Sequence, residues 1–147
     1  MNATAEKFGY PASLLARFGH WLVLLRPAQP TLGSLVLVCA DPARRLGEIS
    51  AAASGELQSA AARIEQVLSG AFAFDKINYL MLMMVDPDVH FHVLPRYQAP
   101  REFAGGRFED AAWPGPPDLA QQLELSDEQR ERLAADLRRR FQALGQA

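Results

Sequence analysis

At 147 residues the chain suits a single domain, 1–147, and leaves little room for two. Hydrophobic residues make up 49% of it and charged residues 22%, with a formal net charge of -2, which excludes the disordered and collagen-like classes. So balanced a charge makes no electrostatic case for a nucleic-acid or membrane partner across the whole surface. It leaves open a local site for a small phosphorylated ligand.

In chain order, the first stretch, MNATAEKFGYPASLL, lacks the basic region and apolar core of a secretory signal. Ala12 to Phe18 reads as a short helix stopped by Gly19. Trp21 to Leu25 is an apolar strand closed by Arg26-Pro27, and Ser34 to Cys39 is a second one. The turn residues Pro30 and Gly33 between them predict an antiparallel pair. Cys39 is the lone cysteine and cannot form an internal disulfide, so it is a buried core residue in a reducing compartment, and the expected location is cytoplasmic. From Ser50 onward Leu57, Ala60, Ala61, Ile64, Val67 and Leu68 recur at helical intervals. Ser50 or Ser54 supplies the cap and Ser69-Gly70 the stop, and the alanines let a sheet approach closely. Lys76 to Val85 is an apolar strand ending in a turn at Asp86-Pro87, and its run Leu80 to Val85 is too short to span a bilayer.

The next strand carries the chemistry. In Asp88-Val89-His90-Phe91-His92-Val93, strand alternation puts Val89, Phe91 and Val93 on a buried face beneath the helix. Asp88, His90 and His92 then share the opposite face. Hydrogen-bonded histidines without chemistry are the plainest reading of this row. A metal site on Asp88, His90 and His92 is a minor alternative, with His20, Glu102 and Asp110 as the other ligand types within the chain. Phosphorus chemistry accounts for two rings on one face, because a neutral imidazole is a competent nucleophile and a second can hold phosphate oxygens.

Beyond Tyr97 the composition turns rich in Pro, Gly and Arg, and residues 98–117 read as a long ordered loop, either a lid over the site or packing for a partner subunit. Ser126 with Gln129 forms a capping box that opens a last helix, to about Leu144, with Leu133, Leu137 and Phe141 as its apolar stripe. Arg138, Arg139 and Arg140 lie in its final turns, where the helix dipole favours cations.

His90-Phe91-His92-Val93-Leu94-Pro95-Arg96 closely resembles the signature of the histidine triad (HIT) superfamily, in which three histidines alternate with apolar residues, commonly followed by Pro-Arg. The resemblance spans about residues 20–97 and takes in Trp21 to Val38, the helix after Ser50 and Lys76-Ile77-Asn78-Tyr79. It implies an α+β fold in which an antiparallel sheet of about five strands carries one long helix, with residues 98–147 adding a loop and a C-terminal helix. It also implies a homodimer, a nucleoside polyphosphate or phosphoramidate as substrate, and no cofactor. By position His90 is the nucleophile that forms a nucleotidyl-imidazole, His92 the phosphate support, and Asp88 stands where the signature has its first histidine. Aspartate there adds charge that favours a protonated neighbouring ring. The chain also differs in having no Gly-containing loop with Gln or Ser between Met81 and Val85, and no histidine between Cys39 and Arg45. Asn78, Arg44, Arg96 and Arg101 are the expected substrate contacts. Two readings follow: a nucleotide hydrolase or transferase, or a HIT-fold nucleotide-binding protein with weak or no activity.

Overall fold

Gly19 decides the first element of the sheet. The chain, described over residues 2–145 of a computed structural model, runs from Leu14–Phe18 (β1) through Gly19-His20 directly into Trp21–Leu25 (β2). Gly19 has φ +60°, and a glycine at the first of two connecting residues is the requirement of a type II′ hairpin turn. The expected helix over Ala12–Phe18 is therefore a strand. Its glycine is a hairpin turn, not a helix stop, and Phe18 pairs with Trp21 and Arg17 with Leu22.

Leu35–Cys39 (β3) pairs antiparallel with β2 as expected. The long helix Ala51–Phe72 (α2) follows a short 3-10 turn over Leu46–Glu48. Ser50 is its cap, the side chain accepting from the Ala53 N–H, and the helix passes Ser69-Gly70 to end at Ala73 in the left-handed region. Lys76–Leu80 (β4) and His90–Arg96 (β5) complete a five-stranded antiparallel sheet in the order β1-β2-β3-β5-β4. Register places Leu80 opposite His92, so β4 stops there and residues 81–89 form the connection. Within it Met84 and Val85 are 87% and 81% exposed, and the strand expected to reach Val85 is five residues shorter.

The two faces of the sheet bury different things. Trp21, Val23, Leu35, Leu37, Cys39, Val89 and Val93 pack with Ala53, Ala60, Ile64 and Leu68 of α2. The Trp21 indole N–H donates to the Ala53 carbonyl at 2.8 Å, which ties the first turn of α2 to β2. On the opposite face Leu22, Leu24, Val36 and Val38 meet Ala5 and Phe8 of the N-terminal segment, whose short helix is Ala3–Lys7 (α1). Asn2 caps it by accepting from the Ala5 N–H.

The segment expected as loop contains a hairpin of its own, Arg101–Phe103 (β6) with Gly106–Phe108 (β7). Asp127–Ala143 (α3) starts at the expected Ser126–Gln129 capping box and buries Leu133, Leu137 and Phe141. The three arginines near its end make specific bonds. Arg138 donates to the carbonyls of Leu14 and Ala12 and so docks α3 on β1, while Arg139 and Arg140 both pair with Asp136.

Candidate functional site

β5 carries the histidines on the face away from α2. His90 pairs across β3 with Val38 and His92 with Val36, both residues of the second apolar cluster. The rings stand edge to face with centroids 5.2 Å apart. Val89 and Val93 are fully buried on the α2 side and Phe91 packs against Trp21, so the alternation read from the sequence is the one observed.

The histidine face is not open. His90 is 2% and His92 6% exposed, because the N-terminal segment lies over them. The Phe8 ring meets His92 edge-on at 5.6 Å and His90 at 6.3 Å. The cover is fastened at several points. The Asn2 side chain donates to the Cys39 carbonyl at 2.9 Å, and Lys7 pairs with Asp86 at 2.6 Å. The Thr4 N–H donates to an Asp88 carboxylate oxygen at 3.1 Å, while the Asp88 N–H donates back to the Thr4 hydroxyl at 3.0 Å.

Asp88 thus belongs to the docking of α1. Its other carboxylate oxygen is 3.8 Å from Arg44 Nε, and Arg44 itself is mostly exposed. The main chain of Asp88 serves His90: ring Nδ1 lies 2.7 Å from the Asp88 carbonyl. A carbonyl can only accept, so Nδ1 carries the proton and a neutral His90 presents its lone pair at Nε2. Burial first, then the neighbouring His90 ring and the Arg26 guanidinium, push the His92 imidazole down to about 4. At His92 desolvation outweighs the nearby carboxylate, which is Asp86. Among the described residues no group of His, Cys, Asp or Glu gathers as a metal-ion cluster, because Asp88 and His90 Nδ1 are already committed. The minor metal alternative has no ligand set here.

The expected substrate contacts are spread over both faces. Arg96 is buried and bonded to Asp110 at 2.7 and 3.3 Å, to the Asn78 side-chain oxygen at 2.8 Å and to the Gly115 carbonyl at 2.9 Å. With Asp110 also accepting from the Tyr97 N–H, Arg96 and Asn78 hold residues 110–115 against the sheet. Arg101 lies at the α2 end, donating to the Phe72 and Ala73 carbonyls and stacking over Tyr97 at 4.8 Å. His20 pairs with Glu56 at 2.5 Å beside Asp41, and these carboxylates raise its pKa. Glu102 is on β6, outside the histidine row.

Asn2, Thr4, Phe8 and Arg26 are what sequence reasoning missed around the histidines. One signal was available, since Asn2 ahead of Ala3-Thr4-Ala5-Glu6 is a helix cap with an acidic first turn. That α1 lies over β5, 84 residues away in sequence, had no local signal.

A family model described as HIT domain matches residues 10–99. Among solved structures, the chain is similar to a histidine triad protein from Marinobacter aquaeolei, at 24% identity with 99% of each chain covered and a TM-score of 0.75. A histidine triad protein from Bradyrhizobium japonicum gives 20% identity, 96% coverage of each chain and a TM-score of 0.74. A hypothetical histidine triad nucleotide-binding protein from Sulfolobus tokodaii gives 16% identity, 90% of this chain and 85% of that one, and a TM-score of 0.66. Comparison with curated proteins finds no match.

Proposed function

This chain belongs to the HIT domain family, and from that membership we propose that it binds a nucleoside phosphate or dinucleoside polyphosphate and cleaves it through a nucleotidyl-histidine intermediate on His90. The observation that carries the reading is the 2.7 Å bond from His90 Nδ1 to the Asp88 carbonyl, which fixes the tautomer and leaves Nε2 as a nucleophile. Nε2 attacks the α-phosphorus, a P–N bond forms, and the P–O bond to the leaving group breaks with its electron pair. Water then attacks the same phosphorus, releasing the nucleoside monophosphate and restoring the imidazole. His92, neutral at pH 7, supports a phosphate oxygen by hydrogen bonding.

Asp88 stands, in this reading, at the position of the first signature histidine and contributes its carbonyl to His90 and its carboxylate to α1. Arg44, exposed beside Asp88, is the best placed of the expected arginines to meet outer phosphates. Asn78, Arg96 and Arg101 act on substrate only indirectly, through the elements they hold. The cytoplasm is the proposed location, as one free buried cysteine fits a reducing compartment.

A second reading has its own observation. With both rings beneath Phe8, a HIT-fold protein that binds nucleotide and turns it over weakly or not at all is favoured unless the N-terminal segment moves. One experiment separates them: turnover of dinucleoside polyphosphates and adenosine phosphoramidate by the full chain and by His90→Ala. Loss of at least about a hundredfold on substitution supports the enzyme. Nucleotide binding with turnover equal to the variant leaves the binding protein.

A further inference from the structure

Two buried polar atoms lack hydrogen-bond partners among the described residues, Arg26 Nε and His92 Nδ1. Orphans of this kind are few in folded proteins, and each calls for an account. These two lie on one face of the sheet. Leu24, Val36 and His92 form a single cross-strand row. Arg26 follows Leu24 by two residues and continues the ladder, its N–H donating to the Ser34 carbonyl at 3.1 Å, so its side chain leaves on the histidine side one row along.

Both groups meet at Phe8. The Arg26 guanidinium carbon is 5.9 Å from the Phe8 ring centroid, and the His92 ring is 5.6 Å from it. Arg26 is anchored at one tip, Nη1 donating to the Ala28 carbonyl at 2.7 Å, and this leaves Nε–H free. The surrounding charge is positive. Lys7 and Arg26 share one nearby carboxylate, Asp86, which already pairs with Lys7 at 2.6 Å.

Arginine Nε is always a donor, and neutral His92 donates from Nδ1 in one of its tautomers. An orphaned guanidinium N–H and an imidazole able to donate, both packed on Phe8 beside an excess cation, fit an acceptor-only anion. We infer that Arg26 joins His92 beneath Phe8 in a phosphate-oxygen subsite, its free Nε–H donating to a non-bridging oxygen of the phosphoryl group that His90 attacks. The inference rests on the proposed reading and adds Arg26 to it, as the group that offsets charge developing on that oxygen. Phe8 then closes the subsite when it is empty and shifts when phosphate enters.

The test uses the full chain and inorganic phosphate, so it does not depend on any nucleotide. Nitrogen-15 spectra follow Arg26 Nε and His92 Nδ1 during titration, with chloride at matched ionic strength as the control. Expected is a shift of both signals with one common dissociation constant, at least tenfold weakened in Arg26→Gln and partly retained in Arg26→Lys. Signals unmoved by phosphate in both the native chain and Phe8→Ala, or equal phosphate affinity in Arg26→Gln, overturn the subsite in favour of water on the two atoms. Failure of the underlying reading looks different. Phosphate bound through Arg26 with no nucleotide cleaved leaves the subsite standing and removes the enzyme. Nucleotide cleaved by Arg26→Gln with unchanged kcat/KM removes the subsite and leaves the enzyme.

Discussion

His92 carries a cost that pH can reveal. Its pKa in the folded chain is about 4 against an ordinary 6.5, so the folded state resists a proton that the unfolded chain accepts. The stability linked to this group is whole above about pH 6.5 and is lost as pH falls through 4, up to ~3 kcal/mol in all. His20 shifts the other way through its bond to Glu56, so its contribution is present at low pH and is lost as pH rises past its raised pKa. Urea unfolding from pH 4 to 7 is expected to show a shallower slope for His92→Leu than for the native chain, because the difference between the two isolates His92. Asp88 makes a second prediction at this scale. Replacing it with Ala leaves the Thr4 N–H without its charged acceptor and is expected to destabilise the fold by about 2 kcal/mol. Faster amide exchange over residues 3–8 is the sign that the loss lies in the docking of α1. The common face of Asp88, His90 and His92 was legible from a period of two and one apolar side. It could not show that the carboxylate turns to Thr4, since that contact depends on which distant backbone arrives.

Among the elements, the 98–117 segment shows how a single buried ion pair can organise a loop. Arg96 and Asp110 are 4% and 2% exposed at the side chain, and three further bonds from Arg96 and Asp110 reach Asn78, Gly115 and Tyr97. Arg96→Ala leaves the Asp110 charge buried and unpaired and is expected to cost ~3–5 kcal/mol. Limited proteolysis should then cut between residues 109 and 117 before elsewhere. Gly33 lies at the same end of the sheet, next to Leu32, whose carbonyl accepts from the Tyr97 hydroxyl. It has φ +88°, and a Cβ there would lie 3.1 Å from Phe72, so Gly33→Ala is expected to lower the melting temperature by several degrees. The long helix was legible because alanines and branched residues repeat along one face of it. The first strand was not, because five residues before a glycine fit a helix end as well as a II′ hairpin, and pairing with Trp21–Leu25 chose the hairpin.

For the whole molecule, β4 is an edge strand, and beside it Leu57, Ala61, Tyr79 and Phe91 line an apolar hollow between helix and sheet. Leu82, Met84 and Val85 stay exposed just beyond the strand. An unpaired edge next to an apolar face suits a second copy, and we propose that the homodimer implied by the family resemblance uses it. Light scattering at micromolar concentration is expected to give a dimer for the native chain and a monomer for Ala61→Arg. A monomeric native chain would remove the proposal. Composition and periodicity alone determined one long helix, a capped terminal helix, short apolar strands and a row of two histidines behind an apolar strand face. They did so because burial, strand alternation and helix capping act within a few residues. Only the tertiary structure decided what covers the row, where Asp88 and Arg96 spend their hydrogen bonds, and why Arg26 comes beside His92. Those contacts join residues from 14 to 84 positions apart, and no local preference encodes which of them meet.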